Sequence, residues 1–362
     1  MKIALIGLVD NYSPKEFCSA HGYEARIVGL ASGLAKLGHH VEVAGRHEIA
    51  ASEPGDFHVV QQKVMENSIP AYNAIVLCGI AGWWNILRWG IADRLAAHPA
   101  VIISLDGIYS SDSKIEMAQK IQDSRKGVES LGFLKAAGLN SPQLVVAYQS
   151  IHPHQYSFYL PWGCPLVPDN LADPYPYPKK DRIRVIYTGV TYTERHLKVL
   201  NSLASDSRID LWVAAVFSKG GVTKETRGDT LHPNLNLISD IVPYNGNPGP
   251  VRYGDTWPFI THADVAININ SGPSTDAIST KLYEYLGCGT PIVSEDAVPN
   301  AGDIITLKAG KVVKQGGIKN IAEAILSTDW SKIDRKNLKK QALALTSWDR
   351  SARLIESALL GR

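Results

Sequence analysis

The sequence predicts an α/β protein made of two doubly wound, Rossmann-like domains that face each other across a cleft. Both halves of the chain alternate short β-branched, apolar segments with longer amphipathic ones, which is the pattern of parallel sheets covered by helices. The segment Pro165–Lys180 separates the halves and contains five prolines. With 362 residues, the chain is long enough for two domains that each have a core.

The first half begins with a predicted strand, Lys2–Leu8, and an amphipathic helix, Tyr23–Leu37, which Gly38 ends. Further strands are expected at His40–Ala44, Asn73–Leu77, Val101–Ser104, Leu144–Ala147 and Ser157–Leu160, with a tryptophan-rich helix after the strand Asn73–Leu77. Ligands of such sheets bind at the carboxyl ends of the strands. Polar residues that follow a strand are therefore candidate site residues.

The same alternation restarts after the proline-rich segment. Strands are expected at Arg184–Tyr187, Leu211–Val216 and Leu235–Ile238, a helix at Glu194–Leu203, and a last helix at Arg353–Leu360 introduced by Ser347, Trp348 and Asp349. The predicted first domain therefore covers residues 1–165 and the second covers residues 181–345. Residues 346–362 form a separate terminal segment.

Composition and charge narrow the class of protein. Hydrophobic residues make up 45% of the chain and charged residues 20%, as in soluble globular proteins. The longest apolar run, Ala74–Trp84, is shorter than the ~20 residues of a membrane span, and Met1–Leu8 has the pattern of a strand instead of a secretory signal. Four dispersed cysteines indicate reduced thiols, so a cytoplasmic location is expected. A net charge of +2 argues against tight, non-specific polyanion binding.

The stretch Asp264–Glu295 carries the most functional information. It contains a predicted buried strand, Asp264–Ile269, a polar loop, a helix at Ser279–Leu286, a Gly-Cys-Gly-Thr-Pro break and a second strand. The first turn of the helix presents backbone N–H groups without helical partners, which is a ready anion site.

One face of this helix combines Thr280, Lys281 and Glu284, because residues three and four apart are neighbours. An anion-binding helix start at Ser279, a cation beside it and a carboxylate one turn further suit a nucleotide. The phosphates would lie at the helix start, and Glu284 would accept the two ribose hydroxyls.

The stretch resembles the donor-binding motif of GT-B glycosyltransferases. In that family an acidic residue, seven other residues and a glutamate precede a Gly-x-Pro-Ile/Val-Val strand, and here Asp276 and Glu284 occupy the two acidic positions. The resemblance implies a nucleoside-diphosphate sugar as donor and a contact of Asp276 with its sugar or phosphate. It also implies that the terminal helix packs back on the N-terminal domain. The alternative is an ordinary βαβ unit whose turn uses Gly287 and Gly289.

A second donor element is expected where the strand Arg184–Tyr187 ends. Gly189 leaves the backbone open to a ligand, and Arg195 lies at the start of the next helix. An arginine at that place holds a diphosphate through two parallel hydrogen bonds, and Lys281 supplies a second cation. The alternative for Arg195 is a solvated surface arginine.

The loop Asp240–Pro243 lies where the GT-B family seats the base. The resemblance implies that backbone groups of Ile241 and Val242 contact the base edge, which is uracil in relatives that use UDP. An unremarkable turn is the alternative.

Asp106 is the candidate catalytic base. It follows the strand Val101–Ser104 and precedes Gly107, so its carboxylate is placed to take the proton of an acceptor hydroxyl as that oxygen attacks the sugar carbon. The alternative is that Asp106 caps the following turn. His21 is the second candidate base, and Asp10 and Glu24 are expected to contact the sugar or the acceptor.

The tryptophans have several interpretations, and some common enzyme motifs are absent. Trp83, Trp84 and Trp89 suit an aromatic platform for the acceptor, a membrane-surface anchor or core packing. The sequence has no Asp-x-Asp motif, which argues against a GT-A enzyme, and no G-x-G-x-x-G, which argues against a nicotinamide dehydrogenase. The histidines lack metal-ligand spacing, so no metal site and no cofactor are expected.

Several segments in order resemble the phage DNA β-glucosyltransferase branch of the GT-B enzymes: MKIALIG, Asp106 after its strand, VIYTG with Arg195 downstream, and the Lys281-x-x-Glu284 helix. This resemblance implies that Asp106 is the base, Arg195 the phosphate ligand and Glu284 the ribose ligand. It also implies an inverting reaction on a 5-hydroxymethylated pyrimidine in duplex DNA.

The sequence therefore predicts a glycosyltransferase that moves a sugar from a UDP-sugar to an acceptor hydroxyl, with hydroxymethylated duplex DNA as the leading acceptor and no essential divalent metal. A second acceptor hypothesis is a saccharide or lipid-linked glycan in surface-glycan assembly. Two other classes stay open: a GT-B-fold UDP-sugar epimerase and a nucleotide-sugar binding protein without catalysis.

Overall fold

The structure, a computed structural model, describes residues 1–7, 22–45, 57–79, 86, 89–105, 132–178, 181–191, 194–217, 226–243, 249, 251, 254–269 and 278–361. Four of the predicted site residues, Asp10, His21, Asp106 and Asp276, lie outside this described part of the chain. Trp83 and Trp84 lie outside it as well, and the side chain of Glu24 is not described.

The first half of the chain folds around a parallel sheet. Among the described residues its strands are β1 (Lys2–Ile6), β2 (His40–Gly45), β3 (His58–Gln61), β4 (Ala74–Cys78), β5 (Val101–Leu105), β6 (Ala136–Leu139) and β7 (Tyr156–Tyr159). They are arranged in the order β3-β2-β1-β4-β5-β6-β7, and every pair is parallel. The strand order reverses between β1 and β4, so the carboxyl ends of these two strands border the crevice where such sheets bind ligands.

The helices of the first half are α1 (Gly22–Lys36), α2 (Gln62–Ser68), α3 (Ala92–Ala96) and α4 (Pro142–Ile151), with a 3-10 turn at Ile69–Ala71. The predicted strand at Leu144–Ala147 is wrong, because these residues lie inside α4. Ser141 caps that helix by accepting a hydrogen bond from the Leu144 backbone N–H at 3.2 Å, and Pro142 occupies its first turn. The strand of this region is β6, which the sequence analysis did not identify.

The second half repeats the architecture. Its strands are β8 (Ile183–Val190), β9 (Ile209–Val216), β10 (Asn236–Leu237), β11 (Val265–Asn268), β12 (Ile292–Glu295) and β13 (Gly310–Val313). Within the described residues they form a parallel sheet in the order β10-β9-β8-β11-β12-β13. The order reverses between β8 and β11, which places the second switch point at the ends of these two strands.

Helices cover this second sheet and close the chain: α5 (Glu194–Ala204), α6 (Arg227–Thr230), α7 (Trp257–His262), α8 (Thr280–Gly287), α9 (Gly302–Thr306), α10 (Ile318–Leu326), α11 (Arg335–Leu345) and α12 (Trp348–Leu360), with 3-10 turns at Ile238–Asp240 and Trp330–Lys332. The central strands of both sheets are buried on both faces, as parallel strands between helices are. One hydrophobic cluster lies in the first half, a second lies in the second half, and a third contains side chains from both halves.

The last helix, α12, packs on the first half of the molecule. Trp348 lies against Gly29 and Gly33 of α1, and a Cβ added to Gly33 would lie 2.7 Å from the Trp348 carbonyl oxygen. The Trp348 ring also meets Trp162 edge to face, with ring centroids 5.3 Å apart. These two glycines therefore let α1 and α12 approach closely, so that burial of Trp348 ties the end of the chain to the first sheet.

Two further features are the character of the helices and the state of the cysteines. In the part of the chain that the structure describes, no helix combines the length and apolar character needed to cross a bilayer. Cys78, Cys164 and Cys288 are buried and free, and Cys18 lies outside the described residues.

Candidate functional site

The candidate site lies at the carboxyl end of the second sheet, where β8 and β11 meet at the switch point. The chain leaves β11 at Asn268 and re-enters the described region just before α8. α8 carries both Lys281 and Glu284, one helical turn apart. The predicted donor-binding helix is therefore present and begins beside the ends of the central strands.

Glu284 is a buried carboxylate with several hydrogen-bond donors. Its residue is only 7% exposed. The Thr256 hydroxyl donates to Oε1 at 3.1 Å and the Thr188 hydroxyl lies 3.5 Å from Oε2. Burial raises the pKa of Glu284 to about 7, although hydrogen bonds from Thr256, Trp257 and Thr188 and the nearby Lys281 charge favour the ionised form. This group therefore changes charge near neutral pH.

A buried tyrosine fixes the distance between α8 and the sheet. The Thr188 backbone N–H donates to the Tyr285 hydroxyl oxygen at 2.9 Å, and that hydroxyl lies 3.4 Å from the Ile267 carbonyl. Thr188 belongs to β8 and Ile267 to β11, so one phenol joins both central strands to the helix. The neighbouring Glu284 is thereby held at the end of β8.

Lys281 lies over the end of β8. Its Nζ is 5.4 Å from the centroid of the Tyr187 ring. Gly189 has a φ of +119°, and a Cβ added there would lie 2.7 Å from the Lys281 Cε. Burial lowers the pKa of Lys281 to about 8, with Glu284 acting in the opposite direction. Glycine at position 189 therefore makes the room that the lysine occupies.

The start of α8 is held by side chains from two other segments. Asn300 binds both backbone groups of Ser279, accepting from its N–H at 2.8 Å and donating to its carbonyl at 3.0 Å. The Ser279 hydroxyl donates to Asn268 at 2.7 Å, and Asn268 in turn donates to Ser294 at 3.2 Å. Within the described residues, the Ser279 side chain does not cap the helix. The half-buried Thr280 thus begins a helix whose N–H groups are not blocked by that hydroxyl.

Arg195 forms an ion pair that the sequence analysis did not expect. Its two terminal nitrogens bind the two oxygens of Glu295, one of them at 2.9 Å. Glu295 is fully buried, whereas the arginine side chain keeps 31% of its surface exposed. The alternative, in which Arg195 is a solvated surface arginine, does not fit this geometry, because one side of its guanidinium is held by a buried carboxylate. Its predicted contact with a diphosphate stays a prediction.

The imidazole of His196 is affected by the charges of both cations. Burial, together with the positive charges of Lys281 and Arg195, lowers the pKa of His196 to about 4. Both cations are thus close enough to the same imidazole to disfavour its protonation. His196 belongs to α5, and the centroid of its ring lies 6.3 Å from that of Tyr187, a residue of β8.

In the loop predicted to contact the base, two backbone N–H groups already form hydrogen bonds within the turn. The backbone N–H groups of Ile241 and Val242 both bind the Ile238 carbonyl at 3.0 Å. The Ile241 residue is 37% exposed. Asp240, just before it, forms a two-point ion pair with Arg227 at 2.8 and 2.6 Å. A base edge at this loop would therefore meet carbonyl oxygens in preference to N–H groups.

The structure brings Gly189, Ser279, Thr280, Lys281 and Glu284 to one end of the second sheet, with Arg195 near the same imidazole as Lys281. It adds residues that the sequence analysis missed: Thr188 as a side-chain donor, Thr256, Trp257, Asn300 and Glu295. Thr256 is 28 residues before Glu284, and nothing in its spacing pointed to the site. Glu295 ends a strand, so the rule that selected Asp106 would also have selected it. No group of three His, Cys, Asp or Glu side chains among the described residues is arranged to hold a metal ion.

Comparison with known proteins identifies the fold. No family model matches the chain, and a search of curated proteins finds no match. Solved structures align over its whole length. Sucrose-phosphate synthase from Thermosynechococcus elongatus matches with a TM-score of 0.69 at 17% identity, over 100% of this chain and 98% of its own. Anabaena HepE in complex with UDP-glucose matches with a TM-score of 0.68 at 13% identity, over 100% of both chains.

A third neighbour, OtsA in its apo form, has a TM-score of 0.62 at 11% identity over 99% of each chain. HepE has also been solved with UDP and glucose together, and that structure matches with a TM-score of 0.66 at 14% identity. The two parallel sheets and these full-length alignments show that the chain has the GT-B fold, as the sequence predicted. At these identities the likeness establishes the fold.

Proposed function

We propose that this protein is a glycosyltransferase that moves a sugar from a UDP-sugar to an acceptor hydroxyl. The observation that carries the proposal is the buried carboxylate of Glu284 on the helix that follows β11, one turn from Lys281, whose side chain lies beside Gly189. A GT-B fold that aligns over its full length with a UDP-glucose complex supports the same conclusion.

The donor lies, in this proposal, across the carboxyl end of the second sheet. Its ribose hydroxyls donate to Glu284, and its diphosphate meets Lys281, Arg195 and the start of α8 after Ser279, where it contacts the backbone N–H of Thr280. Two cations and a helix start offset the negative charge on the diphosphate. Gly189 leaves space for this contact. The base lies at Ile241 and Val242, and Asp276 contacts the sugar or phosphate, as the sequence resemblance implies.

The proposed reaction is a displacement at the anomeric carbon. The bond from that carbon to the diphosphate oxygen breaks, the acceptor oxygen forms the new bond, and UDP leaves with the electron pair. Asp106, which directly follows β5 in the sequence, takes the proton of the acceptor hydroxyl. The acceptor attacks from the face opposite the diphosphate, so this single displacement inverts the anomeric centre. Asp10, His21 and Glu24 contact the acceptor or sugar in this proposal. Lys281 and Arg195 stabilise the departing diphosphate without a required metal.

For the acceptor, we propose a saccharide hydroxyl. Two of the neighbours support this choice by their descriptions, a sucrose-phosphate synthase and HepE with UDP and glucose. The hydroxymethylated duplex DNA predicted from short sequence segments has no counterpart among the three neighbours named above, so it becomes an arm of the test.

The test is UDP release from a panel of UDP-sugars, measured with a sugar acceptor panel, with hydroxymethylcytosine-containing duplex DNA, and with no acceptor. UDP release that depends on an acceptor sugar, together with a mass increase of that acceptor, supports the proposal. A mass increase of the DNA overturns the saccharide acceptor. An isomerised donor without UDP release identifies an epimerase, and UDP binding without any conversion identifies a binding protein.

Glu284→Ala provides the site control. It should abolish UDP release by removing the ribose ligand, whereas Glu323→Ala, at an exposed position on α10, should leave the rate unchanged. An unchanged rate of UDP release in Glu284→Ala would show that Glu284 is not the ribose ligand and would contradict the proposal.

A further inference from the structure

The ion pair between Arg195 and Glu295 joins two segments that are distant in sequence. The residues are 100 positions apart, and both oxygens of the carboxylate bind the two ends of one guanidinium. A two-point arginine–carboxylate contact fixes the plane of the guanidinium as well as its position. The carboxylate is fully buried, and the arginine side chain is partly exposed.

The strand order shows what this contact crosses. Arg195 belongs to the helix that follows β8, and Glu295 is the last residue of β12. In the sheet, β8 and β12 lie on either side of β11. The pair therefore connects the segments at both sides of the β11 carboxyl end. This is the same end from which the chain passes to α8 and its Lys281.

A fully buried carboxylate needs a partner, and it sets the direction from which that partner approaches. A guanidinium has five N–H groups, and the contact with Glu295 uses one from each terminal nitrogen. The remaining N–H groups point along the outer edges of the fork. One side of the guanidinium is held by a buried strand end, and the arginine side chain keeps 31% of its surface exposed, so its other edges are open to a ligand.

We propose that Glu295 is a positioning residue for the donor diphosphate, acting through Arg195. This inference rests on the proposed function, since it assigns the orientation of one phosphate ligand of that reaction. Glu295 does not touch the donor. It holds the Arg195 guanidinium in the plane in which its free edge meets the phosphate oxygens, so that the arginine side chain is already ordered before UDP binds.

An ion pair that only stabilises the fold and one that orients Arg195 differ in how their loss changes ligand affinity. If the pair only stabilised the fold, its loss would lower the affinity for every ligand of the site by the same factor. If it orients Arg195, its loss weakens ligands in proportion to the phosphates that the arginine contacts. UDP and uridine share the base and ribose and differ in the diphosphate, so their comparison separates the two roles.

The experiment measures UDP and uridine affinity by calorimetry for the wild type, Glu295→Gln, Arg195→Gln and the double variant. Asp206→Asn is the control, because Asp206 forms a two-point pair with Arg208 at 3.0 and 2.7 Å on the exposed surface. We expect Glu295→Gln to bind UDP about tenfold more weakly with uridine unchanged. In the Arg195→Gln background the same substitution should have no further effect on UDP.

Three outcomes would overturn the inference. Equal weakening of UDP and uridine by Glu295→Gln would make the pair a strut, and an additive loss in the double variant would show that Glu295 acts without Arg195. UDP affinity equal to that of the wild type in Glu295→Gln would remove the role altogether. By contrast, a wild type that binds no UDP would refute the proposed function itself. If Glu295→Gln does not fold, the double variant replaces it, because it leaves no buried unpaired charge. Its ratio of UDP affinity to uridine affinity should equal that of Arg195→Gln, and a different ratio would overturn the inference.

Discussion

Replacing Glu284 by glutamine should make the stability of the protein depend differently on pH. Burial raises the pKa of Glu284 from 4.5 to about 7 in the folded protein. The folded state thus binds this proton more tightly than the unfolded state, and the group destabilises the fold progressively as pH rises from about 4.5 to about 7. A difference of about 2.5 pH units, each worth about 1.4 kcal/mol, makes the ionised form cost on the order of 3 kcal/mol above pH 7.

Glutamine keeps the shape of the side chain and cannot ionise. The free energy of unfolding of Glu284→Gln, relative to the wild type, should therefore rise by about 2 to 3 kcal/mol between pH 5 and pH 8. Urea unfolding followed by circular dichroism at the two pH values measures this change. Glu323→Gln removes an exposed carboxyl group and serves as the control. A stability difference that is the same at both pH values would refute the argument that Glu284 is a buried, destabilising charge kept for binding.

The other predictions concern the space beside Lys281, the pH range of binding and the attachment of the last helix. Gly189→Ala should lower the free energy of unfolding more than Gly316→Ala does, because both glycines have a positive φ but only the Cβ at position 189 would crowd a side chain, 2.7 Å from Lys281. Only Gly189→Ala should also weaken UDP binding. Equal effects of the two substitutions would contradict this prediction. UDP affinity measured by calorimetry should be highest between about pH 7 and 8, because Glu284 is protonated below that range and Lys281 is neutral above it; a flat profile would contradict both assignments. Trp348→Ala should lower the free energy of unfolding in urea by about 3 to 5 kcal/mol, the cost of emptying a large buried site, and a loss below about 1 kcal/mol would contradict the role of this contact.

The fold could be predicted from the sequence to the extent that apolar segments and breakers define it. The strands that became β1, β4, β5 and β9 were placed within one or two residues, since each is a largely apolar, β-branched run, whereas β8 continues three residues beyond its predicted end. Leu144–Ala147 failed because a short apolar run fits a buried strand or a buried helix equally well. The deciding signal was local, a capping Ser141 followed by Pro142.

The candidate site was predictable where helical spacing alone sets the geometry. Lys281 and Glu284 are three residues apart on one helix, so their proximity follows from the helix itself. The donors to Glu284 were not predictable, because Thr256 and Trp257 reach it only through the tertiary fold. Arg195 lies in the first turn of its helix, as the sequence predicted. Its partner Glu295 was not predictable, because the contact depends on the strand order β8-β11-β12, which a single sequence does not reveal.

The most direct test of the account is whether Glu284 recognises the ribose of UDP. The affinity of the wild type and of Glu284→Gln for UDP and for 2′,3′-dideoxy-UDP should be measured by calorimetry. Two hydrogen bonds to a carboxylate are worth at least about 3 kcal/mol together, so the wild type should prefer UDP by about a hundredfold or more. In Glu284→Gln the preference should fall below about tenfold, because neutral hydrogen bonds are weaker. The same preference for UDP in both proteins would contradict the placement of the nucleotide on this helix.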